Sequence, residues 1–195
     1  MKLTAIGDPH GKIQQYYNII NKCEKSFCVG DFGFKKEWDW LTKNVSTNHL
    51  INPGNHDYGY YVNSHPHSTG NHKFFPEYNL FTVRGADSID RIYRVENRDW
   101  WANEELNYQE QIDAYDSYIL HKPRIVISHD CPQSIMEHLF PYNSKSQTRV
   151  MLQHIFEEHK PELWIFGHHH QFKDVTILGT RFICLKELQT YVITI

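Results

Sequence analysis

A short apolar run followed by a glycine-containing polar turn occurs three times near the start of the chain: LTAIGDPHG from Leu3, FCVGDFG from Phe27 and LINPGNHD from Leu50. Apolar runs this short, bounded by turn residues, read as buried strands. Between them, Lys12–Lys25 and Lys35–Asn44 place apolar residues at helical intervals: Ile13, Tyr16, Tyr17, Ile19 and Ile20, then Trp38 and Leu41, with Val45 just beyond. The result is a β-α-β-α-β opening. Parallel strands joined by crossover helices bring their carboxyl ends to one edge, where open α/β sheets bind ligands. All three polar turns fall on that edge.

The rest of the chain repeats the theme with more irregularity. Tyr58–Tyr78 is aromatic, histidine-rich and aperiodic, and is expected to be a long loop over the site that sets specificity. Strands are expected at Leu80–Arg84 and Ser88–Val95, a helix at Tyr108–Leu120 ended by Pro123, and a strand at Arg124–Ser128 that runs into SHD. A short helix from Gln133 and a longer one over Gln147–His159 precede WIFG, which delivers His168, His169 and His170. The tail segments FKDVTIL, TRFIC and TYVITI are β-branched and predict antiparallel strands closing a second sheet. The expected fold is a two-sheet α/β sandwich of mixed sheets flanked by helices. No linker or repeat divides the 195 residues, so one domain over 1–195 is expected.

Composition narrows the function. The formal net charge of -3 gives no global positive field, which argues against long nucleic acid as a partner. No apolar run approaches the roughly 18 residues of a membrane span, and MKLTAIGDPHGK lacks a secretory leader, so a cytoplasmic protein without a membrane partner is expected. The four cysteines form no CxxC pair and are expected as free thiols. Histidine is the anomaly: 14 of them outnumber the leucines.

The strand-end turns collect Asp8 and His10, Asp31, Asn55 with His56 and Asp57, His129, and His168 with His170. Asp8-x-His10 lets one turn offer a carboxylate and an imidazole to one ion, and Asp31 is placed to bridge. Carboxylate, amide oxygen and imidazole together suit Mn, Fe or Zn better than the all-oxygen preference of Ca. A two-metal hydrolytic centre is the chemistry such a set serves.

The blocks GDPHG (7–11), GD (30–31), GNHD (54–57), SHD (128–130) and GHHH (167–170) resemble, in order, the motifs of the calcineurin-like metallophosphoesterases. The resemblance implies two divalent ions, manganese foremost, with iron, zinc, nickel and magnesium as the other metals of this chemistry. It assigns Asp8, His10, Asp31 and His170 to the first ion, and Asp31, Asn55, His129 and His168 to the second. It implies phosphomonoester or phosphodiester hydrolysis by a hydroxide held between the ions, with His56 protonating the departing oxygen and Asp57 orienting the His56 ring. The second motif departs from GDxxDRG, whose arginine clamps phosphate; here it reads GDFGFK. The segment RGADSID (84–90) and the pair Trp100-Trp101 are instead similar to small bacterial and phage-type members. Arg84 is the expected substitute clamp, with a salt bridge to Asp87 or Asp90 as its alternative, and His65 and His67 are read as solvated loop residues or, as candidate substrate-binding residues, as contacts to phosphate. Trp100 and Trp101 are read as core or as a platform for a base, and His169 as turned away from the ions. A small phosphorylated substrate, a nucleotide in particular, is the expected partner. The alternative is a non-catalytic scaffold or metal-binding module on the same fold; every ligand and His56 are nonetheless present.

Overall fold

The computed structural model describes residues 2–141 and 146–195. The opening forms β1 (Lys2–Ile6), α1 (Ile13–Ile20), β2 (Ser26–Cys28), α2 (Lys35–Asn44) and β3 (His49–Ile51). The three strands are parallel neighbours, as the crossover helices require. Then come β4 (His72–Phe75), β5 (Leu80–Val83), α3 (Tyr108–His121), β6 (Ile125–Ser128), α4 (Gln133–Leu139), α5 (Gln147–Glu158), β7 (Leu163–Phe166), β8 (Lys173–Ile177), β9 (Thr180–Cys184) and β10 (Thr190–Thr194). One sheet has the order β10-β1-β2-β3 and the other β4-β5-β6-β7-β9-β8. Both are mixed: β10 runs antiparallel to β1, and β4 and β8 are antiparallel edges on a parallel centre of β5, β6, β7 and β9.

Strict alternation along the strands builds three apolar layers. Ala5, Phe27, Ile125, Ile127, Ile165 and Ile183 face the space between the sheets. Their chain neighbours Ile6 and Cys28 face α1 and α2. Val126, Trp164, Phe166 and Phe182 face α3, α4 and α5. Because both faces are covered, the strands read as continuous apolar runs rather than as half-polar ones. The order helix, sheet, sheet, helix is the expected α/β sandwich. Helix α3 starts on a reciprocal cap, in which Asn107 accepts from Glu110 N–H at 3.1 Å and Glu110 accepts from Asn107 N–H at 2.8 Å.

Three expectations change. Ser88–Val95 is not a strand; it is an irregular segment with a 3-10 turn at Arg91–Tyr93, its ends drawn together by the Asp90–Arg94 ion pair. Within Tyr58–Tyr78, His72–Phe75 forms β4, because its backbone pairs with β5 and Phe75 enters the inter-sheet core. The tail splits between the sheets: β8 and β9 form a hairpin in the larger one, whereas β10 returns to β1, pairing Thr194 with Lys2 and Thr190 with Ile6. Among the described residues no helix is long and apolar enough to cross a membrane.

Candidate metal centre

The two sheets bring the carboxyl ends of β1, β2, β3, β6 and β7 to one edge of the sandwich, and each strand releases its polar turn there. Backbone bonds fix the turns to one another: His10 N–H donates to Asp31 O at 2.8 Å, and Gly167 N–H to His129 O at 3.0 Å. His10, Asp31, His168 and His170 all hold left-handed backbone conformations, with φ of 45°, 50°, 64° and 52°. Such conformations cost about 1–3 kcal/mol each in non-glycine residues and persist where the surroundings enforce them, typically at functional sites. The motif glycines are steric necessities. A Cβ on Gly54 would lie 2.3 Å from Asp31 Oδ1, and one on Gly30, at φ +144°, would lie 2.0 Å from His129 Nδ1.

Ligand-type atoms of Asp8, His10, Asp31 and His170 all lie within 4.8 Å of one another, and so do those of Asp31, His129 and His168. Asp31 belongs to both groups. In the first, His10 Nε2 is 2.9 Å from His170 Nε2 and 3.9 Å from Asp31 Oδ2, and His170 Nε2 is 3.8 Å from Asp8 Oδ2. In the second, His129 Nε2 is 3.3 Å from Asp31 Oδ1 and 3.0 Å from Asn55 Oδ1, which adds the amide oxygen to that group. With metal–ligand bonds of about 2.0–2.2 Å, neighbouring ligand atoms sit roughly 3–3.5 Å apart, so these separations have the dimensions of two coordination shells.

The electrostatics also suit cations. Asp8 is fully buried and its Oδ1 has no hydrogen-bond partner. Burial pushes its carboxyl up to about 7, with His129 pulling it down and the charge on Asp31 pushing it up. Burial opposes ionisation of Asp31 as well, yet His129, His56 and His10 around it hold it well below the usual carboxylate range. An orphaned buried carboxylate oxygen beside a second carboxylate is costly unless positive charge joins it.

Surrounding bonds aim the donors. His129 Nδ1 lies 3.2 Å from Val29 O, which puts the ring proton there and leaves Nε2 as a free donor atom. Asn55 Nδ2 donates to Ser88 Oγ at 2.9 Å, and Ser88 Oγ in turn donates to buried Glu104. That chain turns Asn55 Oδ1 toward His129. Ser88→Ala is therefore expected to weaken the ion at His129 about 10- to 100-fold, measured by metal titration, with less effect on the ion at His10. His169 points away from both groups as expected, but inward: Nε2 is 3.0 Å from Asp130 Oδ1, and the ring stacks on Phe140 at 3.9 Å. Asp130 also accepts from Arg149 Nε at 2.6 Å, so α5 braces the GHHH turn from beneath.

Four assignments from sequence are corrected. Asp57 does not orient His56; its Oδ1 accepts from Gly33 N–H at 3.0 Å and Trp38 Nε1 at 3.1 Å, and its Oδ2 from Gly54 N–H at 2.7 Å, which staples two motif turns together. Arg84 is not a phosphate clamp and pairs with neither Asp87 nor Asp90. Only 1% exposed, it donates to Asn71 Oδ1 at 2.8 Å and Asn103 O at 2.6 Å, with Glu110 at 3.8 Å. Arg84→Ala is expected to cost about 3 kcal/mol in thermal or denaturant unfolding by emptying the buried space of the guanidinium and cutting its ties to Asn71 and Asn103, with little change in turnover per folded molecule. His65 and His67 are buried struts rather than substrate contacts: His65 Nε2 meets Thr42 Oγ1 at 2.8 Å, and His67 Nδ1 meets His49 O at 2.9 Å. Their segment packs on α2, where Tyr61 donates to Asp39 at 2.8 Å, and Tyr58–Tyr78 does not line the cleft over the ligand groups. Trp101 is core, packed on Tyr58 and Phe34, while half-buried Trp100 lies under Arg91.

The cleft itself, about 510 Å³, is lined by His10, Asp31, His56 and His170, by Phe34, Lys36 and Glu37 at the start of α2, and by Arg94 and Glu187. His56 lies outside both ligand groups, its ring centroid 6.0 Å from that of His10. Its Nε2 is 3.2 Å from Asn55 Nδ2 and 3.3 Å from Arg94 Nη2. Burial and then Arg94 lower the His56 pKa, with Asp31 pulling the other way. Sequence reading missed Arg94. Its one local signal was an aspartate four residues earlier, Asp90, at ion-pair spacing.

This arrangement of two mixed sheets, five strand-end turns and a shared carboxylate is that of a metal-dependent phosphoesterase. A family model for calcineurin-like phosphoesterases matches residues 1–172, and the chain belongs to that family. No curated protein matches it. Among solved structures it is similar to the phosphopantetheinyl hydrolase PptH from Mycobacterium tuberculosis, with TM-score 0.58 and 14% identity over 95% of this chain and 89% of the other. TT1561 of Thermus thermophilus gives TM-score 0.56 and 13% identity over 95% and 89%. GAP50, described as the anchor in the inner membrane complex of Plasmodium, gives 0.52 and 11% over 95% and 71%. At such identities the likeness is one of fold.

Proposed function

We propose that the chain is a dinuclear phosphohydrolase acting on small phosphate esters, with Asp8, His10, Asp31 and His170 holding one divalent ion and Asp31, Asn55, His129 and His168 the other. The observation that carries this reading is the pair of ligand groups sharing the one carboxylate of Asp31. When bound, two such ions supply Lewis acidity toward phosphoryl oxygens and make water nucleophilic near neutral pH. Manganese is the metal we expect from the mixed oxygen and nitrogen donors.

The protein's own groups divide the remaining work. Asp31, held ionised by the imidazoles around it, would be the carboxylate that both ions share. His56 stands at the cleft wall beside the ligands without joining them, where its imidazole can hand a proton to the departing oxygen. Exposed Phe34, resting on Trp101 at 5.6 Å, offers an aromatic wall to the leaving group, which favours a nucleotide over a purely polar ester.

Assaying aryl phosphate monoester and diester hydrolysis on manganese-reconstituted protein, with and without chelator, tests the reading. Chelator-sensitive turnover of either substrate is expected. Absence of turnover of both would favour the scaffold alternative, for which the fold alone suffices.

A further inference from the structure

The motif arginine that clamps phosphate in GDxxDRG relatives has no counterpart at its usual place, and neither Arg84 nor Arg149 is free to replace it: one is spent on Asn71 and Asn103, the other on Asp130. Arg94 differs in its placement. It comes from the irregular segment after β5, borders the cleft from the Ser88–Asp90 side, and reaches within 3.3 Å of His56 Nε2.

Its guanidinium is held rigidly. Nε donates to Asp90 Oδ1 at 2.7 Å, Nη2 to Asp90 Oδ2 at 2.6 Å, and Nη1 to Asp99 O at 3.2 Å. Asp99 is itself fixed, accepting from Val95 N–H at 2.6 Å. A guanidinium has five N–H groups, of which this arrangement uses three. Of the other two, one remains on Nη1, and the one on Nη2 meets His56 Nε2 at 3.3 Å on the cleft side, a long contact that an anion's oxygen can replace. A cation pinned in this way loses little rotamer freedom on meeting an anion, which makes it a preorganised donor pair rather than a loose surface charge.

We propose that Arg94 is a specificity-determining residue that binds the third unesterified oxygen of a phosphomonoester and so makes the site select terminal phosphates over diesters. This rests on the phosphoesterase reading of the same site. A monoester dianion has three unesterified oxygens and a diester two. Were two oxygens taken up by a bound cation pair, the third position would carry charge in a monoester and an uncharged ester group in a diester. A guanidinium at that position gains a charge-assisted hydrogen bond with the first and meets only the substituent of the second. Asp90 is the positioning residue, since both of its carboxylate oxygens hold the guanidinium.

The test compares wild type, Arg94→Met and Arg94→Lys on a monoester and a diester of the same aryl alcohol, alongside calorimetric titration of the manganese-loaded proteins with inorganic phosphate and with dimethyl phosphate. For Arg94→Met, kcat/KM for the monoester and affinity for inorganic phosphate should each fall about 10- to 100-fold, while the diester and dimethyl phosphate change by less than about threefold. Arg94→Lys should recover part of the phosphate affinity but not all, because one ammonium cannot reproduce the fork. Asp90→Asn should shift the monoester-to-diester ratio in the same direction by a smaller factor. Equal losses for both substrates, or none, would overturn the proposal, as would unchanged phosphate affinity in Arg94→Met. If wild type hydrolyses neither ester, the phosphoesterase reading fails on its own, and the phosphate titrations still decide whether Arg94 is an anion site.

Discussion

Asp31→Asn is expected to remove both metal ions from the protein and to reduce phosphate ester hydrolysis by at least about 10³-fold, the loss of several kcal/mol of charge stabilisation. Among the described residues no other side chain belongs to both ligand groups, so this is the substitution expected to strike both ions. The asparagine keeps the shape and retains an acceptor for His56 N–H, which Asp31 Oδ1 now binds at 2.9 Å. The fold should therefore persist, and elemental analysis of the purified variant separates metal loss from unfolding. His10→Ala, by comparison, should weaken only the ion shared with Asp8 and His170.

His56→Ala should behave in the opposite way: metal content unchanged, turnover lower by about 10²- to 10⁴-fold. Proton donation matters in proportion to the basicity of the departing oxygen, so the loss should be smallest for a nitrophenyl ester and largest for an alkyl ester. Measuring both esters against metal content makes the assignment specific. Lost metal in this variant would mean that the imidazole is a ligand; an equal loss for both esters would mean that it positions substrate rather than supplying a proton.

The candidate ligand groups were legible in the sequence because each member is local to a strand end. A short apolar run fixes the strand, the glycine after it permits the turn, and the next polar residue must emerge at the sheet edge, as Asp8, Asp31 and His168 do. Identity and location are then readable from a few neighbouring letters. The residues around the ligands were not legible, because their partners lie far along the chain. Asn55 reaches Ser88, His56 reaches Arg94, and Arg84 reaches Asn71 and Asn103, all through segments whose paths no local pattern reveals. Arg84 and Arg94 show the difficulty most clearly. Both follow β5, Arg84 opening the RGADSID stretch and Arg94 just beyond it, yet one turns into the protein and the other onto the cleft.

The histidines divide in the same way. His10, His129, His168 and His170 sit in the ligand groups, and His56 stands beside them. His65 and His67 lie in an equally polar stretch, but Trp38, Thr42 and the backbone of His49 absorb them into the core. Abundance of imidazole pointed toward metal chemistry; only placement at the strand ends separated donors from struts. The strand expected at Ser88–Val95 failed for a related reason. Its apolar residues Ile89, Ile92, Tyr93 and Val95 remain exposed, and the segment is shaped by the Asp90–Arg94 pair instead of by a neighbouring strand.

One carboxylate, that of Asp31, is proposed to join two metal ions at the meeting edge of the two sheets. Anomalous diffraction from a crystal of the manganese-loaded protein measures this directly. Two peaks about 3.5–4 Å apart, on either side of the Asp31 carboxylate, are expected, one beside Asp8, His10 and His170 and the other beside Asn55, His129 and His168. A single peak, or a principal peak at the buried Asp130, Cys131 and His169 group, would contradict it.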